Sequence, residues 1–296
     1  MIKQLSRWGA ILAFLVFGSC EKPIDFTPNN PEAKLVVEAT IETGEYPVVY
    51  LTRSLDFFNK LDPSDLQGSF VHNAIVKISN GEKTHQLKEK EEVLDGVSFF
   101  YYAIDSSNLS TAFMGKTETE YSLEIDVDGE KYTATTTIPA LTKTIEKLYY
   151  EENIDKEDSG KVALYGEFYD PSGFGNYTRY FTSTNNYPFL PGLNSVFDDQ
   201  VVDGQVYDLQ IEQGVDRNSD IDFEEYSFFR KGDDITVKFC NIDKGVYDFW
   251  RTMEYTYQSI GNPFSTPTKV LGNISNGALG YFGGYAVQYV RITIPE

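Results

Sequence analysis

The chain of 296 residues carries 45 acidic and 25 basic side chains, which give a formal net charge of −20 at pH 7. Affinity for nucleic acid depends on Lys and Arg side chains that neutralise phosphate, so this charge excludes nucleic acid as an expected partner. The 21 Tyr and 21 Phe residues supply aromatic surface that strands can bury, which favours a protein built from sheets.

The first twenty residues have the pattern of an export signal. Lys3 and Arg7 precede an apolar run at 8–17, and a Gly-Ser pair follows it. The run is too short to span a bilayer, because a transmembrane helix needs about 20 apolar residues. We therefore predict a cleaved signal peptide at 1–19.

Cys20 follows the Gly-Ser pair directly, so this region resembles a lipobox, whose cysteine becomes the acylated first residue of the mature chain. Phe17 departs from the usual Leu three positions before the cysteine, and an ordinary cleaved signal with an incidental cysteine is the alternative. More than one acyl chain makes anchoring stable, since each buried CH₂ contributes about 0.8 kcal/mol. We predict that Cys20 is lipidated and that 20–33, rich in Pro and acids, is the lipid anchor and tether.

The segment 34–140 is predicted to be an immunoglobulin-like antiparallel β-sandwich. Short β-branched runs alternate apolar and polar residues, and Asn80-Gly81 and Asp128-Gly129 mark tight hairpin turns between them. The stretch 55–70 lacks this periodicity and is predicted to be a loop, either functional or simply solvated.

The segment 141–296 is predicted to be a second β-rich domain with one amphipathic helix. Five apolar-rich runs between 161 and 241 indicate strands, and apolar residues at steps of three and four indicate a helix near 243–260. A glycine-rich stretch then leads into a strand at 286–294. Phosphate binding is not expected there, because a phosphate-binding glycine loop leads into a helix.

No catalytic constellation is visible, so we predict that the protein is not an enzyme and needs no cofactor. His72 and His85 have no nucleophile motif near them and are interpreted as surface or turn residues. Cys240 ends an apolar strand and is expected to be buried and unreactive; with Cys20 acylated it has no disulfide partner.

One acidic stretch, DRNSDIDFEE, has weak similarity to a calcium loop, and a solvated loop is the alternative interpretation. Its sixth position is Ile221 instead of Gly and its twelfth is Ser227 instead of Glu. The four candidate ligands alternate along the chain: Asp216, Asn218, Asp220 and Asp222.

An aromatic loop at 181–193 is a candidate for contact with a protein partner or a glycan. Buried aromatic side chains dominate the energetics of many interfaces, and Tyr187, Phe189 and Leu190 are the candidate anchors. The alternative is that these side chains cap the core of their own domain.

The chain as a whole resembles an uncharacterised Bacteroidota outer-membrane lipoprotein family, classed as a domain of unknown function and commonly encoded beside TonB-dependent receptors. Besides the lipobox, the resemblance rests on KLVVEATIETGEYPVVYLTRS, YSLEIDVDGEKYTATTTIP, GDDITVKFCNIDKGVYDFWRTMEY and GNPFSTPTKVLGNISNGALGYFGGY. The charged flank that begins at Glu21 is similar to the flank of such lipoproteins when they are passed to the outer membrane and on to the cell surface. A periplasm-facing anchor is the alternative.

The resemblance implies an outer-membrane lipoprotein that works with a receptor barrel. We accordingly expect a surface-exposed, non-catalytic accessory or ligand-capture partner of a TonB-dependent receptor or another barrel. It assigns no catalytic residues. The alternative function is a structural subunit of a larger envelope assembly, for export or barrel insertion, that takes no small ligand.

Overall fold

The computed structural model describes residues 32–55, 63–94, 96–152, 158–262, 264–266 and 268–296, and Ala33–Glu296 form one compact unit. Two helices and sixteen strands lie in these residues. In chain order they are β1 (Leu35–Glu42), β2 (Val48–Arg53), α1 (Pro63–Ser69), β3 (Ile75–Ser79), β4 (Thr84–Gln86), β5 (Lys88–Leu94), β6 (Val97–Ala103), β7 (Thr119–Val127), β8 (Glu130–Ile138), β9 (Thr144–Glu151), β10 (Lys161–Tyr169), β11 (Tyr177–Thr184), β12 (Leu190–Phe197), β13 (Val206–Ile211), β14 (Phe229–Arg230), β15 (Asp234–Ile242), α2 (Lys244–Gln258) and β16 (Leu279–Thr293).

The predicted all-β, sandwich-like fold is confirmed, and its largest layer is an eight-stranded sheet in the order β12-β11-β15-β16-β1-β2-β6-β5. A second sheet, β4-β3-β7-β8, shares a core with the β1 side of this sheet. A third sheet, built from β9, β10, β13 and β14, shares another core with the β15 side. The eight-stranded sheet therefore forms one layer of two neighbouring sandwiches.

Strand β16 joins the two sandwiches. Its first half pairs with β1 in parallel, from Val36 opposite Leu279 to Glu42 opposite Tyr285. Its second half pairs with β15 in the antiparallel direction. The segments 34–140 and 141–296, predicted as separate domains, consequently share one continuous hydrogen-bonded sheet.

The side chains of β16 also reach all three hydrophobic cores. Phe282 and Ala286 pack in the core of the first sandwich, and Val290 packs against the core of the second. Tyr281 and Tyr285 point to the opposite face, where α2 packs on the sheet. Because successive residues of a strand face opposite sides, a single long strand can serve both faces.

The parallel pairing requires glycine at a specific position of β16. Gly280 has φ of +96°, and a Cβ placed there would lie 1.9 Å from the carbonyl oxygen of Val37. Any other residue would force β1 and β16 apart as well as adopt an unfavourable backbone conformation. The glycine-rich stretch thus allows close strand packing.

The local predictions had mixed outcomes. Asp128 and Gly129 both have positive φ, as a tight hairpin turn of this type requires. At the other predicted turn only Gly81 does, and the Asn80 side chain accepts hydrogen bonds from the backbone N–H groups of Glu82 and Lys83 instead. The predicted loop at 55–70 contains the short helix α1.

The predicted amphipathic helix is present as α2. Asp243 caps its N-terminus by accepting a hydrogen bond from the Val246 N–H at 2.8 Å. The same carboxylate accepts hydrogen bonds from the Thr136 hydroxyl and the Thr137 N–H, so the cap also fixes α2 to β8. In the described ranges, no helix is both long and apolar enough to cross a membrane.

Substitution of Gly280 by Ala is expected to lower the free energy of unfolding by at least about 2 kcal/mol more than substitution of Gly277 by Ala. Both glycines have positive φ, but a Cβ at Gly277 meets nothing within 4 Å, so this variant reports the backbone cost alone. Chemical denaturation followed by circular dichroism measures the difference. Equal losses would show that β1 and β16 do not depend on this close approach.

Candidate binding groove beside helix α2

Helix α2 lies on one face of the eight-stranded sheet and leaves a groove between itself and β12. Two adjoining depressions of about 380 and 570 Å³ form this groove, and both are lined by Asn194 and Gln258. The smaller one is also lined by Val196, Phe197, Asp198, Tyr247, Arg251, Glu254 and Tyr255; the larger one by Leu193, Phe223, Tyr226, Tyr257 and Ile260. We call these two depressions together the α2 groove.

The two ends of the α2 groove differ in chemistry. The larger depression is the more apolar of the two and has aromatic side chains in its lining, and two of its side chains, Phe223 and Ile260, are 72% and 75% exposed. The smaller one is polar: Tyr247 donates a hydrogen bond to Asp198 at 2.9 Å, and Arg251 lies 3.5 Å from the same carboxylate. Burial, and then Asp198, raise the pKa of Tyr247 to about 12, so its hydroxyl stays protonated at neutral pH.

The floor of the α2 groove is a buried polar network centred on Glu254. This helical carboxylate accepts hydrogen bonds from the Ser195 hydroxyl at 2.5 Å and from the Ser195 N–H. Arg217, in the loop between β13 and β14, forms an ion pair with it at 3.0 Å. The Arg217 carbonyl also accepts a hydrogen bond from Tyr257, so the loop is held against α2 at two points.

Arg179 of β11 extends this network under the helix. It is 3% exposed, and its guanidinium carbon lies 3.5 Å from the centre of the Trp250 ring. Its Nε donates a hydrogen bond to Ser195 and its Nη1 donates one to Tyr285 of β16. A buried guanidinium stacked on an aromatic ring is favourable, and here it fixes α2 to the sheet.

The residues predicted to bind calcium lie next to the α2 groove but do not converge. Asp216 and Asp222 each accept a hydrogen bond from a backbone N–H two residues later, on Asn218 and Glu224 respectively. These side chains and Asp220 are not among the described acidic residues whose ligand atoms lie within 4.8 Å of one another. The alternation along the chain therefore does not produce a ligand shell here.

The predicted aromatic anchors lie at the turn between β11 and β12. Tyr187 is 73% exposed, whereas Phe189 packs against the ring of Tyr289 at 5.8 Å. Leu190 is partly buried and begins β12. The Tyr187 side chain is thus exposed, whereas Phe189 covers its own sheet, and contact of this turn with a protein or a glycan stays a prediction. The predicted lipidation site, Cys20, lies outside the described residues.

The interpretation of His85 as a surface or turn residue is wrong. His85 lies in β4 and is 1% exposed; its Nε2 accepts a hydrogen bond from the Asp105 N–H and its Nδ1 lies 2.8 Å from the Thr111 hydroxyl. Burial lowers the pKa of this imidazole.

His72 and Cys240 lie where the sequence predicted them. His72 is exposed at the surface and pairs with Glu89. Cys240 is buried, and burial raises the pKa of its thiol to about 12.

The sequence interpretation missed the groove residues. Phe223 lies in an acidic, turn-rich segment, and Ile260 follows the last turn of α2. Each is an apolar residue in a polar segment, and neither belongs to a strand or to the buried stripe of the helix. Such isolated apolar residues are the sequence feature that could have indicated an exposed contact surface.

Replacing Arg217 with Met is expected to lower the free energy of unfolding by about 3 kcal/mol, because it leaves the buried Glu254 carboxylate without its ion-pair partner. The double variant Arg217→Met/Glu254→Met should lose less than the sum of the two single variants, by at least about 1 kcal/mol. Urea denaturation measures all three.

The matched control is Lys244→Met, which removes an exposed ion pair with Asp248 on the same helix and should leave stability almost unchanged. Additive losses for Arg217 and Glu254 would contradict the coupling described for the groove floor.

Comparison with known proteins gives a family but no activity. The model of the domain of unknown function DUF4249 matches residues 21–291, which is nearly the whole chain. No curated protein matches the chain. The predicted membership of an uncharacterised family is thereby confirmed at the level of the domain: the chain belongs to the DUF4249 family.

Proposed function

We propose that this protein is a lipid-anchored lipoprotein of a Bacteroidota outer membrane, exposed at the cell surface, and that it is a non-catalytic accessory partner of a TonB-dependent receptor. Acyl chains on Cys20 hold it in the membrane, and the tether 20–33 separates the folded unit from the lipid. The observation that carries the proposal is the exposed apolar end of the α2 groove.

The exposed apolar side chains near the end of α2 have the properties of interface anchors. Phe223 and Ile260 are each more than 70% exposed, and both line the larger depression. Exposed apolar side chains that cluster beside a groove mark contact surfaces in soluble proteins, and buried aromatic anchors supply most of the energy of many interfaces. We assign this end of the groove to the receptor.

The groove is also built on a stiff base, which suits a docking surface. The Glu254 network holds the loop that carries Phe223 against α2, and Arg179 holds α2 on the sheet. Binding to a preorganised surface costs less conformational entropy than binding to a mobile one. The polar end, with Asp198 and Arg251, supplies directional contacts that set the orientation of a partner.

The test is affinity purification of the tagged protein from native outer membranes. We expect a TonB-dependent receptor to co-purify, and Phe223→Ser/Ile260→Ser to reduce its recovery by about tenfold, the equivalent of 1.4 kcal/mol. The Cys20→Ser variant should leave the membrane fraction.

The matched control is Val93→Ser/Leu94→Ser, which changes two exposed apolar side chains on β5, at the opposite edge of the eight-stranded sheet. It should recover as much receptor as the unchanged protein. Export or barrel-insertion machinery without a receptor would overturn the proposal in favour of the structural subunit, as would equal losses in both double variants.

A further inference from the structure

Two loops bring three aspartates together at one end of the second sandwich. Asp170 follows β10, and Asp199 and Asp203 lie in the loop after β12. One carboxylate oxygen of each lies within 4.8 Å of the others. Asp170 is fully buried and Asp199 is 2% exposed, so this is not a solvated acidic surface.

The loops orient these carboxylates with backbone N–H groups. Asp199 Oδ2 accepts hydrogen bonds from the Gly175 and Asn176 N–H groups, both at 2.8 Å, and Asp203 Oδ1 accepts one from the Gly173 N–H at 2.6 Å. The other oxygen of each carboxylate accepts no hydrogen bond from the residues described. One oxygen of Asp199 and one oxygen of Asp203 are thus held by backbone N–H groups, and the other oxygen of each is available to a ligand.

Asp170 gives an independent indication that this cluster binds a ligand. Its Oδ1 lies 3.0 Å from Lys143 Nζ, in an ion pair with both side chains fully buried. Its Oδ2 is buried and has no hydrogen-bond donor among the described residues. A buried carboxylate oxygen without a partner costs free energy, so native structures normally provide one.

The charges show what kind of partner is needed. Three carboxylates and one ammonium group leave two negative charges uncompensated in a mostly buried cluster. Isolated buried charges are costly unless they are paired or coordinate a metal ion. A divalent cation restores neutrality with no change in the protein.

We propose that Asp170, Asp199 and Asp203 bind a calcium ion. Hard cations prefer carboxylate oxygens, and Ca²⁺ to oxygen distances of about 2.3 to 2.6 Å place opposite ligands about 5 Å apart, which fits the observed spacing. Lys143 remains paired with Oδ1 of Asp170. The site differs from the 216–222 loop suggested by sequence.

The proposed calcium site is connected to the α2 groove because residues of the two sites are adjacent in the chain. Asp198, which lines the polar end of the groove, is the residue next to Asp199. A bound ion fixes the 199–203 loop and with it the carboxylate that Tyr247 and Arg251 contact. The ion is expected to stabilise the fold and to order this end of the groove.

The test is calorimetric titration of detergent-solubilised full-length protein, stripped of metal with a chelator, with CaCl₂ and with MgCl₂. We expect one saturable Ca²⁺ site in the range of about 10⁻⁵ to 10⁻³ M and weaker Mg²⁺ binding. Saturating Ca²⁺ should raise the Tm by about 5 °C, because it binds only the folded state. Asp203→Asn, which keeps an acceptor for the Gly173 N–H, should weaken binding at least about tenfold.

The matched control is Asp216→Asn/Asp222→Asn, which removes two acids from the 216–222 loop and should bind Ca²⁺ like the unchanged protein. Absence of saturable Ca²⁺ binding up to roughly 10 mM overturns the proposal, and so does tighter binding of Mg²⁺. Loss of the site in the control instead of in Asp203→Asn overturns it as well. The titration of unchanged protein decides the matter even if the Asp203 variant does not fold.

Discussion

The structure depends on the parallel pairing of β1 with β16. Without this pairing, the first sandwich would lose the strand that closes its half of the large sheet. It would also lose Phe282 and Ala286 from its core. The second sandwich would keep β15 beside β16 but would no longer be attached through the sheet. Gly280 permits the pairing, because only a residue without Cβ brings these two backbones into hydrogen-bonding distance.

The same constraint positions the α2 groove. Tyr281 and Tyr285 of β16 and Arg179 of β11 form the surface on which α2 rests, and Asp243 ties the start of the helix to β8. The helix is thus held by residues from both sandwiches. Since the groove lies between α2 and β12, its shape depends on the joined sheet, although its lining comes entirely from the second half of the chain.

Local features were predictable from sequence, and long-range ones were not. The alternation in β7 and β8, the Asp128-Gly129 turn and the stripe of α2 depend on neighbouring residues, so their patterns are visible in the chain. The pairing of β1 with β16 joins residues more than 200 positions apart, and no local pattern specifies it. The burial of His85 is not visible in the sequence for the same reason, because its partners Asp105 and Thr111 lie 20 or more residues away, in the loop after β6. The aspartates at 170, 199 and 203 meet only after β10 and β12 are in place.

Because β16 belongs to the hydrogen-bonded sheet of both sandwiches, the two should unfold as one cooperative unit, and hydrogen exchange with mass spectrometry in increasing denaturant measures this. Amides of β7 and β8 report the first sandwich, and amides of β15 report the second. We predict that both sets lose protection with the same free energy and the same dependence on denaturant concentration. Exchange of the β7 and β8 amides at lower denaturant, while β15 stays protected, would show that the two sandwiches unfold as independent domains and that β16 does not couple them.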